Sequence, residues 1–267
     1  MNASSGAAIR DDDASAPLRI TVDGPIAFLA FNRPEKRNAI SDALLDRLKS
    51  FFAAPPEAVR VAVLHGLGGH FSAGLDLSEQ VAREPAEVMR HSRGWHQVMD
   101  EIQFGGLPVV SVLNGAVIGG GLEIAASTHV RIAEPSARFQ LPEGKRGIFV
   151  GGGATVRVGR ILGADRLTEM MLTGRSYDAE EGHRLGLAHY LVGEGEGIAK
   201  ARELAMEIAS NAPLVNYLVI QAVSRIDDMG RGDGLFAESL SAALSQTGSD
   251  AREGLRAFLE KRDPRFK

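Results

Sequence analysis

Strand-like and helical segments alternate along the chain up to about residue 192, and this alternation constrains the fold more than any other feature. Short runs rich in Val, Ile, Leu and Phe predict strands, and Asp23-Gly24 predicts a hairpin turn between the first two. Stretches with apolar residues at helical spacing lie between later strands, beginning with a helix whose N-cap is Ser41. The predicted strands are 18–22, 26–31, 59–66, 107–115, 129–134, 138–143 and 188–193. This order predicts a fold of the α/β class.

The strand signal ends before residue 195, and the remaining chain predicts four helices. The first residues are small, polar and acidic, which predicts a disordered N-terminal tail. We therefore expect three regions: a tail over 1–16, an α/β core over 17–194 and a helical region over 195–267.

Composition excludes several classes of function. The net charge is −4, so no excess of basic residues indicates a nucleic-acid partner. There are no cysteines, which excludes disulfides, thiol catalysis and cysteine metal sites. No apolar run reaches the ~18 residues of a membrane span, and the N-terminus lacks the hydrophobic stretch of a signal peptide. We therefore expect a cytoplasmic protein whose partners include no membrane and no nucleic acid.

Glycine clusters suggest phosphate binding, but their spacing does not match the two common motifs. A dinucleotide-binding G-x-G-x-x-G would need glycine where the chain has Ile124 or Val156. A P-loop needs Ser or Thr after its Gly-Lys pair, and Arg146 follows that pair here. The seven histidines are scattered and form no H-E-x-x-H motif, so we predict no metal site.

Two glycine-rich turns, 71–77 and 118–123, each follow a predicted strand. Glycine lets another molecule approach the backbone closely, and two converging N–H groups would polarise a carbonyl. Glu123 lies in the first turn of a predicted helix, where the helix dipole favours a carboxylate. Glu143 ends a later strand-like run. Two carboxylates near a polarised carbonyl suit proton transfer.

Each of these features also has a purely structural interpretation. Glu123 could serve only as a dipole or capping partner, and the glycines could serve only close packing. Glu143 could be solvated, or it could pair with Lys145 or Arg146. Asp76 fits a helix cap as well as a catalytic group. From spacing alone these alternatives stay open.

Five motifs, in order and with family spacing, resemble the crotonase superfamily of enoyl-CoA hydratases and isomerases. They are FNRPEKRNAIS (31–41), HFSAGLDLSE (70–79), LNGAVIGGGLEIAASTHVRIAEPSARFQLPE (113–143), MMLTGRSYDAEEGHRLGLAHYLV (170–192) and EGLRAFLEKRDPRF (253–266). The resemblance covers about residues 18–267. It implies a crotonase-like spiral of ββα turns with a C-terminal helical trimerisation region, assembled as a homotrimer or a dimer of trimers.

The resemblance also implies a site for acyl-CoA thioesters, with coenzyme A as part of the substrate and no separate cofactor or metal. The oxyanion-hole N–H groups would be those of Leu75 and Gly120, and the catalytic residues would be Glu123 and Glu143. The substrate- and CoA-binding residues would be Ala73, Gly74, Asp76, Leu77, Ser78, Gly119 and Gly151.

These residues imply an enoyl-CoA hydratase, which adds water to a 2-trans-enoyl-CoA to give a 3-hydroxyacyl-CoA. In this scheme Glu123 activates the water and Glu143 supplies the proton to Cα. The alternatives are an isomerase or a hydratase-lyase on the same scaffold and, from another class, a non-catalytic acyl-CoA-binding protein.

The chain departs from the common hydratase pattern in two places. Lys145 and Arg146 closely follow Glu143, and two cations there should lower the pKa of its carboxyl group. Within the variable stretch 79–106, Trp95 and nearby histidines indicate a bulky or polar acyl group, or else an ordinary surface helix.

Overall fold

The computed structural model describes residues 9–10, 13, 15–79 and 83–266, which contain ten strands and ten α-helices. The strands are β1 (Ile9–Arg10), β2 (Leu18–Asp23), β3 (Ile26–Phe31), β4 (Val61–Gly66), β5 (Val109–Leu113), β6 (Ala116–Ile118), β7 (Val130–Ala133), β8 (Arg138–Gln140), β9 (Tyr177–Asp178) and β10 (Tyr190–Leu191). The helices are α1 (Asp42–Ala53), α2 (Pro85–Phe104), α3 (Gly120–Ser127), α4 (Ala154–Leu162), α5 (Ala164–Thr173), α6 (Ala179–Arg184), α7 (Gly197–Ala209), α8 (Pro213–Asp227), α9 (Arg231–Gln246) and α10 (Ser249–Glu260). The predicted α/β class is confirmed, and so is the Ser41 cap of α1.

Seven strands form the main sheet in the order β1-β2-β3-β4-β5-β7-β10. Strands β2 and β3 form the predicted antiparallel hairpin, and β3, β4, β5, β7 and β10 run parallel. A second sheet has the order β6-β8-β9. Because the carboxyl ends of parallel strands lie at the same edge of a sheet, the loops after β4 and β5 start side by side.

Strand β3 is apolar throughout, and β4 is apolar over its first four residues, because both faces of the main sheet are covered there. Helices α1 to α6 contribute to the larger core on one face, and α7 covers the other. The smaller core under α7 contains Ile26, Phe28, Val61, Val63, Val110, Val112, Ile132, Ala201, Leu204, Ala205 and Ala209. The first helix of the predicted C-terminal region therefore packs on the sheet of the predicted core.

The last three helices expose much of their apolar surface. Helices α8 and α9 pack against each other, and α10 contacts α9. Their exposed side chains include Val219, Val223, Leu235, Phe236, Leu240, Leu244, Leu255, Phe258 and Leu259. A surface of this kind indicates contact with another protein surface. None of the helices in the described residues is long and apolar enough to cross a membrane.

The structure describes a few residues of the predicted N-terminal tail. Most of the tail predicted over 1–16 lies outside the described residues. Strand β1, however, pairs with Val22 and Thr21 of β2, and Ala16 is buried. β1 can pair there because β2 has a free edge, and the disorder predicted for the tail stays a prediction.

Candidate active site

The loop after β4 runs alongside β6, which packs the two glycine-rich turns together. The Ser72 N–H donates to the Ala116 carbonyl at 2.8 Å, and the Ile118 N–H donates back to the Ser72 carbonyl at 3.0 Å. Gly121 permits this approach, since a Cβ there would lie 2.6 Å from the Ser72 carbonyl oxygen. The backbones of the two glycine-rich turns are therefore in contact where the sequence predicts an oxyanion hole.

Leu75 and Gly120 have N–H groups without hydrogen-bond partners in the described part of the chain. Ile40 bonds to the carbonyl of Gly74 and to the N–H of Asp76, which leaves the N–H of Leu75 unused. Gly120 is the first residue of α3, so its N–H lies outside the hydrogen bonds of that helix. A Cβ on Gly74 would lie 2.6 Å from the carbonyl oxygen of Ile118 and 3.1 Å from the Gly120 nitrogen, so glycine is needed where the two loops meet.

A cavity of about 200 Å³ opens beside these N–H groups, between the two turns, α2 and the loop before α4. The predicted site residues that line it are Ala73, Gly74, Leu75, Leu77, Gly119, Gly120, Glu123, Glu143 and Gly151. Asp76 and Ser78 do not line it. The structure therefore gathers most of the predicted site around one space.

Glu123 is only 3% exposed, and it lies on α3, whose residues are all buried. Its Oε1 accepts hydrogen bonds from the N–H groups of Gly152 at 2.8 Å and Ala154 at 3.0 Å. Its Oε2 has no such partner among the residues described. Burial raises the pKa of Glu123, while the N–H groups of Ala154 and Gly152 and the charge of Arg157 oppose that rise. One carboxylate oxygen is thus held and the other is unengaged.

Glu143 reaches the same cavity from a 3-10 turn (Glu143–Arg146), and not from the end of a strand as predicted. The Gly119 N–H donates to the Gln140 carbonyl at 2.9 Å, which anchors β8 and the turn next to α3. A Cβ on Gly119 would lie 2.7 Å from Oε1 of Glu143, so glycine leaves the room that this carboxyl needs. Oε2 of Glu143 is buried without a hydrogen-bond partner in the described structure. Burial raises the pKa of Glu143 to about 7, and the negative charge of Glu123 adds to the rise.

The cations after Glu143 do not determine its pKa, because burial raises the pKa more than Arg146 lowers it. Within the described residues, no ion pair joins Glu143 to Lys145 or Arg146. The side chain of Lys145 lies against Gly174, and the charge of exposed Arg146 lowers the pKa less than burial raises it. The predicted direction holds for the charge of Arg146, but the net pKa is raised because burial of the carboxyl is the larger effect.

Asp76 and Ser78 fasten the loop, and their predicted contact with the substrate or coenzyme A stays a prediction. Oδ2 of Asp76 accepts from Arg33 at 2.7 Å and from Lys36 at 3.0 Å. Oδ1 accepts from the Ser78 hydroxyl at 2.6 Å and the Ser78 N–H at 3.0 Å. The Ser78 hydroxyl is the main reason that the pKa of Asp76 lies well below its usual range, with Arg33 and Lys36 acting in the same direction. These bonds fix the segment that carries Leu75.

One side of α2 forms a wall of the cavity that is not among the site residues predicted from the sequence. Val88, His91, Ser92 and Trp95 line it, at the spacing of one helix face. Trp95 is only 5% exposed, so the surface-helix interpretation is wrong for this residue. The Ser92 hydroxyl donates to the Gly151 carbonyl at 2.6 Å and ties α2 to the loop before α4. The helical spacing of these residues could have indicated a buried face of α2, but the polar side chains of His91 and Ser92 interrupt its apolar pattern.

The cavity combines two unpaired N–H groups with two buried carboxyl groups. The donors can polarise a carbonyl and stabilise negative charge on its oxygen. A carboxyl group with a pKa of about 7 can give or take a proton near neutral pH. In the described ranges, no group of three or more His, Cys, Asp or Glu side chains is placed to hold a metal ion.

Comparison with known proteins matches nearly the whole chain. A model of the enoyl-CoA hydratase/isomerase family matches residues 21–267. The human mitochondrial enoyl-CoA hydratase domain-containing protein 2 is 34% identical, over 91% of this chain and 86% of its own length. The 2,3-dehydroadipyl-CoA hydratase of Escherichia coli K12 is 32% identical, over 91% of this chain and 95% of its own. Among solved structures, a provisionally named enoyl-CoA hydratase from Rhodopseudomonas palustris superposes on this chain with a TM-score of 0.90. The two sequences are 47% identical, and the match covers 93% of this chain and 96% of the other.

Proposed function

The chain belongs to the enoyl-CoA hydratase/isomerase family and has its crotonase-like fold, and within that family we propose that it is an enoyl-CoA hydratase. The reaction adds water to a 2-trans-enoyl-CoA and gives a 3-hydroxyacyl-CoA. One observation carries the proposal: a single cavity holds both glutamates and both unpaired N–H groups. Hydration needs one group to activate water and another to deliver a proton, and the two carboxyls supply them.

The N–H groups of Leu75 and Gly120 bind the thioester carbonyl oxygen of the substrate. Water adds to Cβ, and the electron pair of the double bond moves through Cα onto that oxygen as an enolate. The two N–H groups stabilise the enolate, and one donor of this kind is typically worth ~3–4 kcal/mol. The N-terminus of α3 adds partial positive charge at Gly120.

The two glutamates divide the proton transfers. Glu123, with Oε1 held by two N–H groups, takes a proton from water through Oε2 while the water oxygen bonds to Cβ. Glu143, whose pKa of about 7 lets it carry a proton near neutral pH, gives that proton to Cα as the enolate collapses. The cycle closes when a proton passes from Glu123 to Glu143. No redox cofactor or metal enters this reaction, and coenzyme A arrives as part of the substrate.

The substrate class follows from the family and from the cavity. The E. coli relative is named for a dehydroadipyl-CoA thioester, which supports an enoyl thioester here. Backbone atoms of Ala73, Gly74, Leu77, Gly119 and Gly151 surround the thioester in this proposal. A cytoplasmic location stays a prediction from the sequence, since the human relative is named as mitochondrial.

We further propose that the chain assembles as a homotrimer or a dimer of trimers. The apolar side chains exposed on α9 and α10 support this assembly, because a second copy would remove them from water. Phe258 and Leu259 are about four-fifths exposed, at 81% and 80%. Burial of such side chains is favourable by roughly 1.5–3 kcal/mol each.

Incubation of the purified protein with crotonyl-CoA and cinnamoyl-CoA tests the proposal. Loss of the enoyl absorbance and the product mass should both report a water adduct. Glu123→Gln and Glu143→Gln should each lower kcat at least ~100-fold, the scale of general acid–base catalysis. A product of unchanged mass with a moved double bond would indicate an isomerase, and cleavage to an aldehyde would indicate a hydratase-lyase. Saturable binding without turnover, unaffected by Glu123→Gln, would indicate a non-catalytic acyl-CoA-binding protein.

A further inference from the structure

We propose that Trp95 sets how far an acyl chain extends into the cavity, so that the site selects short, straight-chain enoyl thioesters. This inference rests on the proposed hydratase function and names the acyl group that the reaction takes. It also replaces the sequence-based expectation that Trp95 indicates a bulky acyl group.

The indole of Trp95 fits between two glycines of the site. A Cβ on Gly120 would lie 2.7 Å from both Cη2 and Cζ3 of the indole. A Cβ on Gly152 would lie 2.9 Å from Cε3. Contacts below 3.0 Å are not tolerated by real Cβ atoms, so the edge of the six-membered ring occupies space that only glycines leave.

These two glycines stand at opposite ends of the reacting group. Gly120 provides the N–H for the thioester oxygen, and Gly152 holds Glu123, which acts at Cβ. The edge of the indole, which reaches from one glycine to the other, therefore runs beside the bond between Cα and Cβ. The carbons that follow Cβ in the acyl chain must pass this edge or stop at it.

Burial places Trp95 at the inner end of the cavity. Trp95 is 5% exposed, whereas Val88 and Phe149, which also line the cavity, are 52% and 72% exposed and mark its mouth. The volume of about 200 Å³ is below the roughly 300–1,000 Å³ of pockets that enclose drug-sized ligands. A short chain fills this space, and a long one meets the indole.

The indole is braced from its own helix. The ring of His91 meets it edge-on, with 6.4 Å between the centroids. Nε2 of His91 lies 2.9 Å from Oδ1 of Asp42 on α1. With glycine backbone on one side and the braced His91 on the other, the ring cannot swing away at low cost. It therefore acts as a fixed stop.

Fluorescence gives a direct test, because Trp95 is the only tryptophan of the chain. The probes are free coenzyme A and saturated butyryl-, hexanoyl- and octanoyl-CoA, which cannot be hydrated. Butyryl-CoA should shift the emission of Trp95 relative to free coenzyme A. Calorimetry should show octanoyl-CoA binding at least ~10-fold more weakly than butyryl-CoA, as expected of a pocket that excludes extra methylenes.

Variants at position 95 separate a stop from a merely structural role. Trp95→Leu should raise the ratio of kcat/KM for 2-octenoyl-CoA over crotonyl-CoA by at least ~10-fold. Trp95→Phe, which keeps an aromatic ring but shortens it, should move the ratio in the same direction if Trp95→Leu does not fold by circular dichroism. Met89→Ala is the matched control, since Met89 lies on α2, is 64% exposed and is not part of the cavity lining.

An unchanged ratio in both folded variants, or affinity that rises with chain length while Trp95 emission stays constant, overturns the inference. The two proposals fail separately. If the wild-type protein hydrates crotonyl-CoA but its preference for acyl-chain length does not depend on the residue at position 95, only the proposed role of Trp95 is wrong. If no ester turns over, the hydratase proposal is lost, and the binding series still decides whether Trp95 limits the chain.

Discussion

Glu123 and Glu143 line the same cavity, and two N–H groups hold Oε1 of Glu123, whereas Oε2 of Glu143 has no hydrogen-bond partner among the described residues. The N–H groups of Gly152 and Ala154 favour the ionised form of Glu123. Oε2 of Glu143 is buried without a partner among the described residues, which favours its protonated form. Burial raises the pKa of both carboxyl groups, and the negative charge of Glu123 opposes ionisation of Glu143, so the two titrate as a coupled pair. Hydration requires this pair to hold one proton and one negative charge.

Activity should fall as pH rises through about 7. Above that pH Glu143 loses the proton that it gives to Cα. Measurement of kcat/KM for crotonyl-CoA between pH 5 and 9 should show a descending limb near the pKa of about 7. The residual activity of Glu143→Gln should lack this limb. If the descending limb persists unchanged in the variant, a group other than Glu143 causes it.

The same carboxyl group should make stability depend on pH. The folded-state pKa of Glu143 is raised from 4.5 to about 7, so between these values the folded chain holds a proton that the unfolded chain has lost. The free energy of unfolding should therefore fall as pH rises through this window, by on the order of 1–3 kcal/mol. Urea denaturation at pH 5, 6 and 7 should show a smaller fall for Glu143→Gln, and equal slopes would contradict the raised pKa.

Gly152→Ala should damage catalysis more than stability. The new Cβ would lie 2.6 Å from Oε2 of Glu123 and 2.9 Å from Trp95, so it must displace the carboxylate that acts on water. We expect kcat to fall by about 100-fold. Gly94→Ala on α2 is the control, because its Cβ would meet nothing within 4 Å and alanine favours a helix by roughly 1 kcal/mol. Near-wild-type kcat in Gly152→Ala would show that Glu123 does not need its present position.

Asp76→Ala should loosen the loop that carries Leu75. The change leaves Arg33 and Lys36 without their carboxylate and releases Ser78. Because Asp76 is 4% exposed, the free energy of unfolding should fall by about 2–4 kcal/mol. The kcat for crotonyl-CoA should fall as well, because the Leu75 N–H no longer has a fixed position. Asp46→Ala on the exposed side of α1 should change neither quantity appreciably, and a similar loss there would argue against a specific role for Asp76.

Sedimentation equilibrium should give a mass of about 85 kDa or twice that value, since one chain is 28.4 kDa and the proposed unit is a trimer. Phe258→Asp should lower the mass, because a charge would then enter the buried interface. Lys49→Glu is the control, because Lys49 is an exposed residue of α1, and this variant should keep the wild-type mass. A wild-type mass of one chain would contradict the proposed assembly.

Most elements of the fold could be predicted because their signals are local. Apolar runs and helical periodicity place the strands and helices within a few residues, and Ser41 is the predicted cap. Strand β6 and the turn that carries Glu143 depend on pairing between distant segments, so the sequence did not show them. Strand β1 was missed for the same reason, since it is defined by its partner β2.

The candidate site was predicted only as far as motif and resemblance reach. Motif order placed Glu123, Glu143, Leu75 and Gly120, and the structure brings all four to one cavity. The partners of Asp76 could not be read from the sequence, because Arg33 and Lys36 lie some 40 residues away. The raised pKa of Glu143 depends on burial, which neighbouring letters do not show.

Water labelled with heavy oxygen shows whether the protein adds solvent oxygen to its substrate. The protein would be incubated with crotonyl-CoA in labelled water, and the product analysed by mass spectrometry. We expect 3-hydroxybutyryl-CoA with the label at C3, formed at least ~100-fold more slowly by Glu123→Gln and by Glu143→Gln. An unlabelled product would contradict hydration. A labelled product that both variants form as fast as the wild-type protein would contradict catalysis by this pair of glutamates.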